Sequence, residues 1–185
     1  ASGPARDIQL TAEELSMASL GKDLFKKTVR DFNLPAFPRR IETELRENIL
    51  PFWMKYAPDA AHGGFHGRIG NDLAIAAQAE KGIILNTRIL WTFARAYRVY
   101  GDESMFEMAH RAYLYITDHF FDMDFGGVFW TLDHLGRPLD DKKRTYGQAF
   151  TLYALSEYYL ATGDQEVLRT VAELFELIER MTRDR

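Results

Sequence analysis

Asp124-Phe125-Gly126-Gly127-Val128-Phe129-Trp130 echoes an earlier stretch, Ala61-His62-Gly63-Gly64-Phe65-His66, at a distance of about 63 residues. A second pair of landmarks keeps nearly the same interval: Thr162-Gly163-Asp164 answers Tyr100-Gly101-Asp102 at about 62 residues. Two independent landmarks at one offset mark an internal repeat. Each unit reads as an extended Gly-Gly loop, a basic start (Lys81, or Lys142-Lys143-Arg144), an aromatic-rich helix, a Gly-Asp turn and a second, amphipathic helix. In the turn, glycine closes the first helix and aspartate caps the next.

The first helix of each hairpin is apolar nearly all round, as in Ala149-Phe150-Thr151-Leu152-Tyr153-Ala154-Leu155, and such a helix is expected to be buried on every face. An inner ring of these helices, covered by their amphipathic partners, predicts an all-α fold, part of an α/α barrel, with short β-like Gly-Gly loops. An open row of stacked hairpins is the competing arrangement. The chain holds about three hairpins, roughly half of a closed ring of this period. The expectation is a fragment, or one component of a larger assembly. Its open apolar flanks call for self-association or a complementary C-terminal half.

Working outward, Leu15, Ala18, Leu24, Phe25, Val29 and Phe32 recur at helical spacing and predict a helix over 11–32. Pro35 and Pro38 mark 33–40 as a linker. Ile41, Leu45, Ile49, Phe52 and Tyr56 form another helical stripe, which Pro51 is expected to kink or restart. Residues 65–69 suit a short strand or extended loop. Helices are expected from about 84 to 100 and from about 103 to 120. Ala1-Ser2-Gly3-Pro4 reads as a tag scar or processed end, giving residues 1–38 as tag, helix and linker and 39–185 as the N-terminal half of a barrel domain.

Composition narrows the function. With 185 residues, 46% of them hydrophobic and 14% aromatic, the chain has the makings of a packed core. The net charge of −4 argues against nucleic acid and an anionic membrane surface as partners. Zero cysteines remove disulfides, thiolate zinc sites and cysteine nucleophiles. No window of apolar residues is long enough to span a bilayer and no signal peptide is evident, so the expected location is the cytoplasm.

Few residues carry chemistry. His62 and His66 are four apart, but the glycines between them argue against a helical metal pair, and no third ligand follows at suitable spacing. His110 and His119 read as solvated or capping residues, and His134 as part of an exposed turn. Asp122 with Asp124, or Asp140 with Asp141, has the composition of a glycosidase acid and base, although solvated loop carboxylates are the simpler reading. The glycine run lacks phosphate-loop and dinucleotide spacing, and no Gly-x-Ser-x-Gly elbow exists. Asn86, Arg88, Tyr146 and Gln148 stand apart, as polar residues near the N-terminal ends of the two most apolar helices. Arg88, among Ile83, Ile84, Leu85, Ile89, Leu90 and Trp91, is expected to need a buried acid or a ligand. Hydrogen-bonding groups beside Trp91, Phe129, Trp130 and Tyr146 suit a carbohydrate, whose faces stack on rings. A purely structural role for the set is the alternative.

These residues also form a pattern. Glu47-Asn48-Ile49-Leu50-Pro51-Phe52-Trp53, His62-Gly63-Gly64-Phe65, Lys81-Gly82-Ile83-Ile84-Leu85-Asn86-Thr87-Arg88-Ile89-Leu90-Trp91-Thr92-Phe93, Gly126-Gly127-Val128-Phe129-Trp130 and Tyr146-Gly147-Gln148-Ala149-Phe150 together resemble the N-terminal half of cellobiose 2-epimerases. These are a branch of the N-acylglucosamine 2-epimerase superfamily. The resemblance implies an (α/α)6 barrel and an isomerase that works without a cofactor. It would exchange the glucose and mannose configurations at carbon 2 of the reducing-end sugar in a β-1,4 disaccharide such as cellobiose. Two histidines would move protons through an enediolate intermediate. Arg88 matches the family arginine near the carbon 1 and carbon 2 oxygens, and Tyr146 a tyrosine of the same pocket; Asn86, Gln148 and Trp91 complete the expected substrate-binding set. None of the five histidines matches the catalytic pair, which the resemblance places beyond Arg185, so the chain by itself is expected to be inactive. An N-acylglucosamine 2-epimerase, a mannose isomerase acting on a monosaccharide, or a non-catalytic carbohydrate-binding or assembly half-barrel are the alternatives.

Overall fold

A computed structural model of the chain describes residues 36–183; the helix expected over 11–32 lies outside the described residues. The chain divides into two compact units, one ending at Leu50 and the other beginning at Pro51. In the first unit, helix α1 (Phe37–Glu44) starts inside the stretch read as a linker, with Pro38 in its opening turn. Proline is tolerated there because the first amides of a helix have no intrahelical acceptor. One turn of π-helix (Leu45–Ile49) follows, and helix α2 (Leu50–Tyr56) restarts with Pro51 at its second position, where a missing donor is harmless.

The second unit is built from two hairpins. Helix α3 (Ile83–Tyr100) is followed by α4 (Glu103–Tyr115), which runs on as a π-helical turn (Ile116–Phe120). Helices α5 (Thr145–Thr162) and α6 (Gln165–Thr182) form the second hairpin. Both turns are made the same way. Gly101 and Gly163 take φ of 67° and 69°, the left-handed conformation that ends a helix at low cost without a Cβ. Asp102 and Asp164 then accept from the backbone N–H of Ser104 and Glu166, capping α4 and α6.

The Gly-Gly loops repeat as closely. Asp59 N–H donates to Gly64 O at 3.1 Å and His66 N–H to Ala57 O at 2.9 Å. In the second hairpin Asp122 N–H donates to Gly127 O and Phe129 N–H to Phe120 O, both at 2.9 Å. Phe65 and Ile69 make single bridges, to Pro58 and Ile75, so of the short strand or extended loop expected over 65–69 the structure has the extended loop. The strands lie later: β1 (Lys81–Gly82), β2 (Thr131–Leu132) and β3 (Pro138–Asp140) form one antiparallel sheet in that order, with Lys81 opposite Leu132. This sheet ties the start of α3 to the loop that leads into α5.

Helix α3 packs against α4 and α5, and α5 against α6. Leu90, Phe93 and Ala94 of α3 and Ala154 and Leu155 of α5 are buried. Gly147 lets α5 approach closely, since a Cβ there would sit 3.2 Å from Ile83 and 3.4 Å from the Trp130 ring. The expectation that α5 is buried all round is corrected: Tyr146, Tyr153 and Leu160 are exposed. Its neighbours α3 and α6 cover two flanks, and the tyrosines present hydroxyls to water on the face left over.

Candidate functional site

Arg88, Trp91 and Arg95 recur at three- and four-residue spacing on α3, and Tyr146, Phe150, Tyr153 and Glu157 do so on α5. Because α3 and α5 pack side by side, the two rows make one face. Arg88 is exposed, and its guanidinium lies 5.4 Å from the centroid of the Phe150 ring. Phe150 in turn contacts Tyr146 at 4.6 Å between centroids. One turn further along, Trp91 and Tyr153 stack at 5.3 Å with 15° between their planes. Beyond them, Glu157 is held at 2.5 Å by Arg98 and at 3.7 Å by Arg95.

This geometry corrects one half of the expectation for Arg88: the residue is exposed and has no buried acid. Among the described residues it has no carboxylate partner; it rests its charge on an aromatic face and keeps its donors in solvent. A cation held this way has N–H groups left to offer. Arg88, Tyr146 and Trp91 therefore come together, joined by Phe150 and Tyr153. The repeat contained a signal for these two: they stand about 62 residues after Arg88 and Trp91.

Asn86 and Gln148 lie elsewhere. A helix advances about 100° per residue, which puts Asn86 almost opposite Arg88. The buried Asn86 amide donates to Gly82 O at 2.9 Å, and its Oδ1 has no partner among the described residues. Gln148 is buried, with Oε1 accepting from Val128 N–H and Nε2 donating to Val128 O, each at 2.8 Å. That amide pins the second Gly-Gly loop onto α5.

The first Gly-Gly loop is held by charge. Lys81, 1% exposed, donates from Nζ to Asp59 Oδ2 at 2.8 Å and to Gly63 O at 2.7 Å. Asp59 Oδ1 accepts from the N–H groups of Ala61 and His62, both at 3.0 Å. Burial alone would raise the Asp59 carboxyl pKa, but Lys81 and these amides outweigh it and hold the group down at about 2. Arg111 donates to Asp59 O at 2.6 Å and to Gly64 O at 2.9 Å. Sequence reading saw Lys81 as a basic helix start and missed its partner, because a separation of 22 residues across a loop has no periodic signature.

His62 and His66 flank this pair, at 3.5 and 3.8 Å from Asp59 Oδ2. Among the described residues no group of three such side chains is arranged to hold a metal ion. His134, read as an exposed turn residue, is half-buried with its ring 5.6 Å from that of His62. His110 Nδ1 shares a hydrogen bond with the Tyr158 hydroxyl at 2.7 Å, and His119 lies 3.3 Å from Gly136 O. Two of the carboxylates weighed as an acid and base, Asp122 and Asp140, are poorly suited to donating a proton. Asp122 is held low by Lys143, and Asp140 by the Lys142 N–H and Arg144, whereas a general acid needs a raised pKa.

Repeated α-hairpins whose first helices pack side by side define a class by architecture, the all-α helical barrels, of which the chain supplies part. The family model N-acylglucosamine 2-epimerase (GlcNAc 2-epimerase) matches residues 63–185, and the chain belongs to that family. It is 48% identical over 141 residues to a cellobiose 2-epimerase of Bacteroides fragilis, an alignment covering 76% of this chain and 36% of the relative. To an N-acylglucosamine 2-epimerase of Rattus norvegicus the identity is 24%, over 82% of this chain and 36% of that protein. The crystal structure of a sugar epimerase from a ruminal bacterium superposes with a TM-score of 0.76 at 41% identity, over 80% of this chain and 38% of that one. The chain thus spans little more than a third of the length of the relatives it matches.

Proposed function

We propose that this chain forms one wall of a carbohydrate 2-epimerase site, with Arg88, Tyr146 and Trp91 facing the reducing-end sugar of a β-1,4 disaccharide such as cellobiose. The observation that carries the reading is the exposed Arg88 on an aromatic face, without a carboxylate partner among the described residues, in a family whose relatives include cellobiose 2-epimerases. Sugar rings stack on aromatic faces, and guanidinium donors suit the carbon 1 and carbon 2 oxygens. As the proton leaves carbon 2 and negative charge builds on these oxygens, Arg88 would stabilise it without having to reorganise.

Helices α3 and α5 carry no histidine, so this wall binds and polarises while the proton transfers are assigned to histidines outside it. On this reading the 185-residue chain binds sugar without turning it over. Asn86 and Gln148 support the wall from behind, through Gly82 and Val128. A complementary set of hairpins, or a second copy of the chain, is the partner that would complete the site.

Titration of the purified chain with cellobiose, mannose and N-acetylmannosamine, followed by tryptophan fluorescence, tests the proposal. Cellobiose is expected to give the largest response, and Arg88→Ala to weaken it about tenfold or more, as for a lost charge-assisted hydrogen bond. A preference for N-acetylmannosamine or mannose would select the corresponding alternative. Absence of any sugar response would overturn the binding reading. Deuterium incorporation at carbon 2 that is lost in Arg88→Ala would instead show that the chain is itself active.

A further inference from the structure

The two hairpins anchor their inner helices by opposite means. In the second, the ion pair Lys143–Asp122 is partly open to solvent, at 30% and 11% side-chain exposure, and the Gln148 amide clamps the loop. In the first, the corresponding Lys81–Asp59 pair is closed off at 1% and 3%, while Asn86, at the Gln148 position, leaves Oδ1 without a partner among the described residues. A buried ion pair is a poor way to gain stability, because desolvating both charges offsets their attraction. The second hairpin shows that this architecture does not require one.

What the buried pair supplies is a fixed position. Lys81 immediately precedes Gly82, the N-cap of α3, and lies in β1, whose partner strand continues the register through Ile83 N–H to Trp130 O at 3.1 Å. Its ammonium reaches Asp59 and Gly63 O in the Gly-Gly loop and lies 5.0 Å from the centroid of Tyr115 on α4. Arg111, also on α4, holds the carbonyls of Asp59 and Gly64. Gly64 leaves no slack, since a Cβ there would lie 2.5 Å from the Tyr115 ring. Loop, strand and outer helix therefore meet on one ammonium, two turns before Arg88. At the position in α5 that corresponds to Arg88 stands Phe150, a residue with no charge to aim.

We propose that Lys81 and Asp59 are positioning residues for Arg88: the buried pair fixes the first two turns of α3 so that the guanidinium meets the sugar oxygens in one place. This rests on the proposed sugar-binding role of Arg88. A guanidinium about 1 Å out of place loses much of its contribution, which gives a reason to retain a pair that adds little stability.

The test uses the whole chain and a balanced double variant, Lys81→Met with Asp59→Asn, which leaves no buried charge unpaired. Its fold is followed by circular dichroism and thermal midpoint, its α3 amides by hydrogen exchange, and its sugar binding by cellobiose titration. The expected result is a retained fold, at least tenfold faster exchange over residues 83–90, and cellobiose affinity about tenfold lower. Lys143→Met with Asp122→Asn, the matching change in the second hairpin, is expected to leave both unchanged. Unaltered exchange over residues 83–90 in the first double variant would overturn the proposal, as would an equal loss of affinity in the second. If the double variant fails to fold, Lys81→Arg, which keeps the charge but changes its reach, replaces it with the same expected and overturning results. If the unaltered chain shows no response to cellobiose, the sugar-binding reading fails, and the exchange result alone decides whether the pair positions α3.

Discussion

Asp59 shows how one carboxylate acquires several duties. Its pKa of about 2 lies below the ordinary 3.8, so the folded state binds this proton less readily than the unfolded chain. The stabilisation is therefore complete above the unfolded value, near pH 4, and is lost as pH falls through about 2. Thermal midpoints measured from pH 6 to pH 2 are expected to drop through this window, and the drop should be smaller in Asp59→Asn, which starts from a lower plateau. A variant that matches the unaltered chain across the whole range would show that the carboxylate is not energetically coupled to folding. Arg88 illustrates the converse at the same scale. Its charge was legible in the sequence, its exposure was not, because apolar neighbours along the chain occupy other faces of the helix.

Between elements, the contrast is between a clamp and a surface ion pair. Gln148 satisfies a buried N–H and a buried carbonyl of Val128 together. Gln148→Ala orphans both and is expected to cost about 2–5 kcal/mol in a urea titration. Lys143→Ala opens a solvent-screened pair and is expected to cost clearly less in the same titration. Equal effects would mean that the ion pair, and not the amide, secures the second loop. The helices themselves were legible from period and punctuation: α3, the α4 segment and the Gly-Asp caps fall where the sequence places them. The irregular segments were less so. Residues 65–69 alternate like a strand but only bridge, because their backbone partners, Pro58 and Ile75, belong to short loops. Helix α1 begins inside a supposed linker because proline breaks a helix interior but not its first turn.

For the whole molecule, the apolar surface left uncovered decides the behaviour. Met123 and Phe125, at the tip of the second Gly-Gly loop, are 89% and 84% exposed, and Phe175 and Met181 of α6 are also exposed. Phe125, Leu177, Ile178 and Met181 line a groove of about 300 Å³. Contiguous apolar surface of this kind is expected to bind a hydrophobic dye and to drive association as concentration rises. Light scattering and dye fluorescence on the purified chain provide the check, and a stable monomer with little dye-accessible surface would count against a missing partner. No described helix is long and apolar enough to cross a membrane, so these side chains do not form a span.

The sequence by itself determined the helical hairpin, its repeat of about 62 residues, its caps, and the family, because these depend on local periodicity and on the order of short motifs. Only the tertiary structure decided which polar residues share a face. Arg88, Tyr146 and Trp91 were separated from Asn86 and Gln148 by helix rotation, and Phe150 and Tyr153 were added by the packing of α3 on α5. The tertiary structure also joined Lys81 to Asp59 across the loop. A one-dimensional pattern records spacing along the chain, whereas the direction of a side chain and the depth of an ion pair depend on what packs beside them.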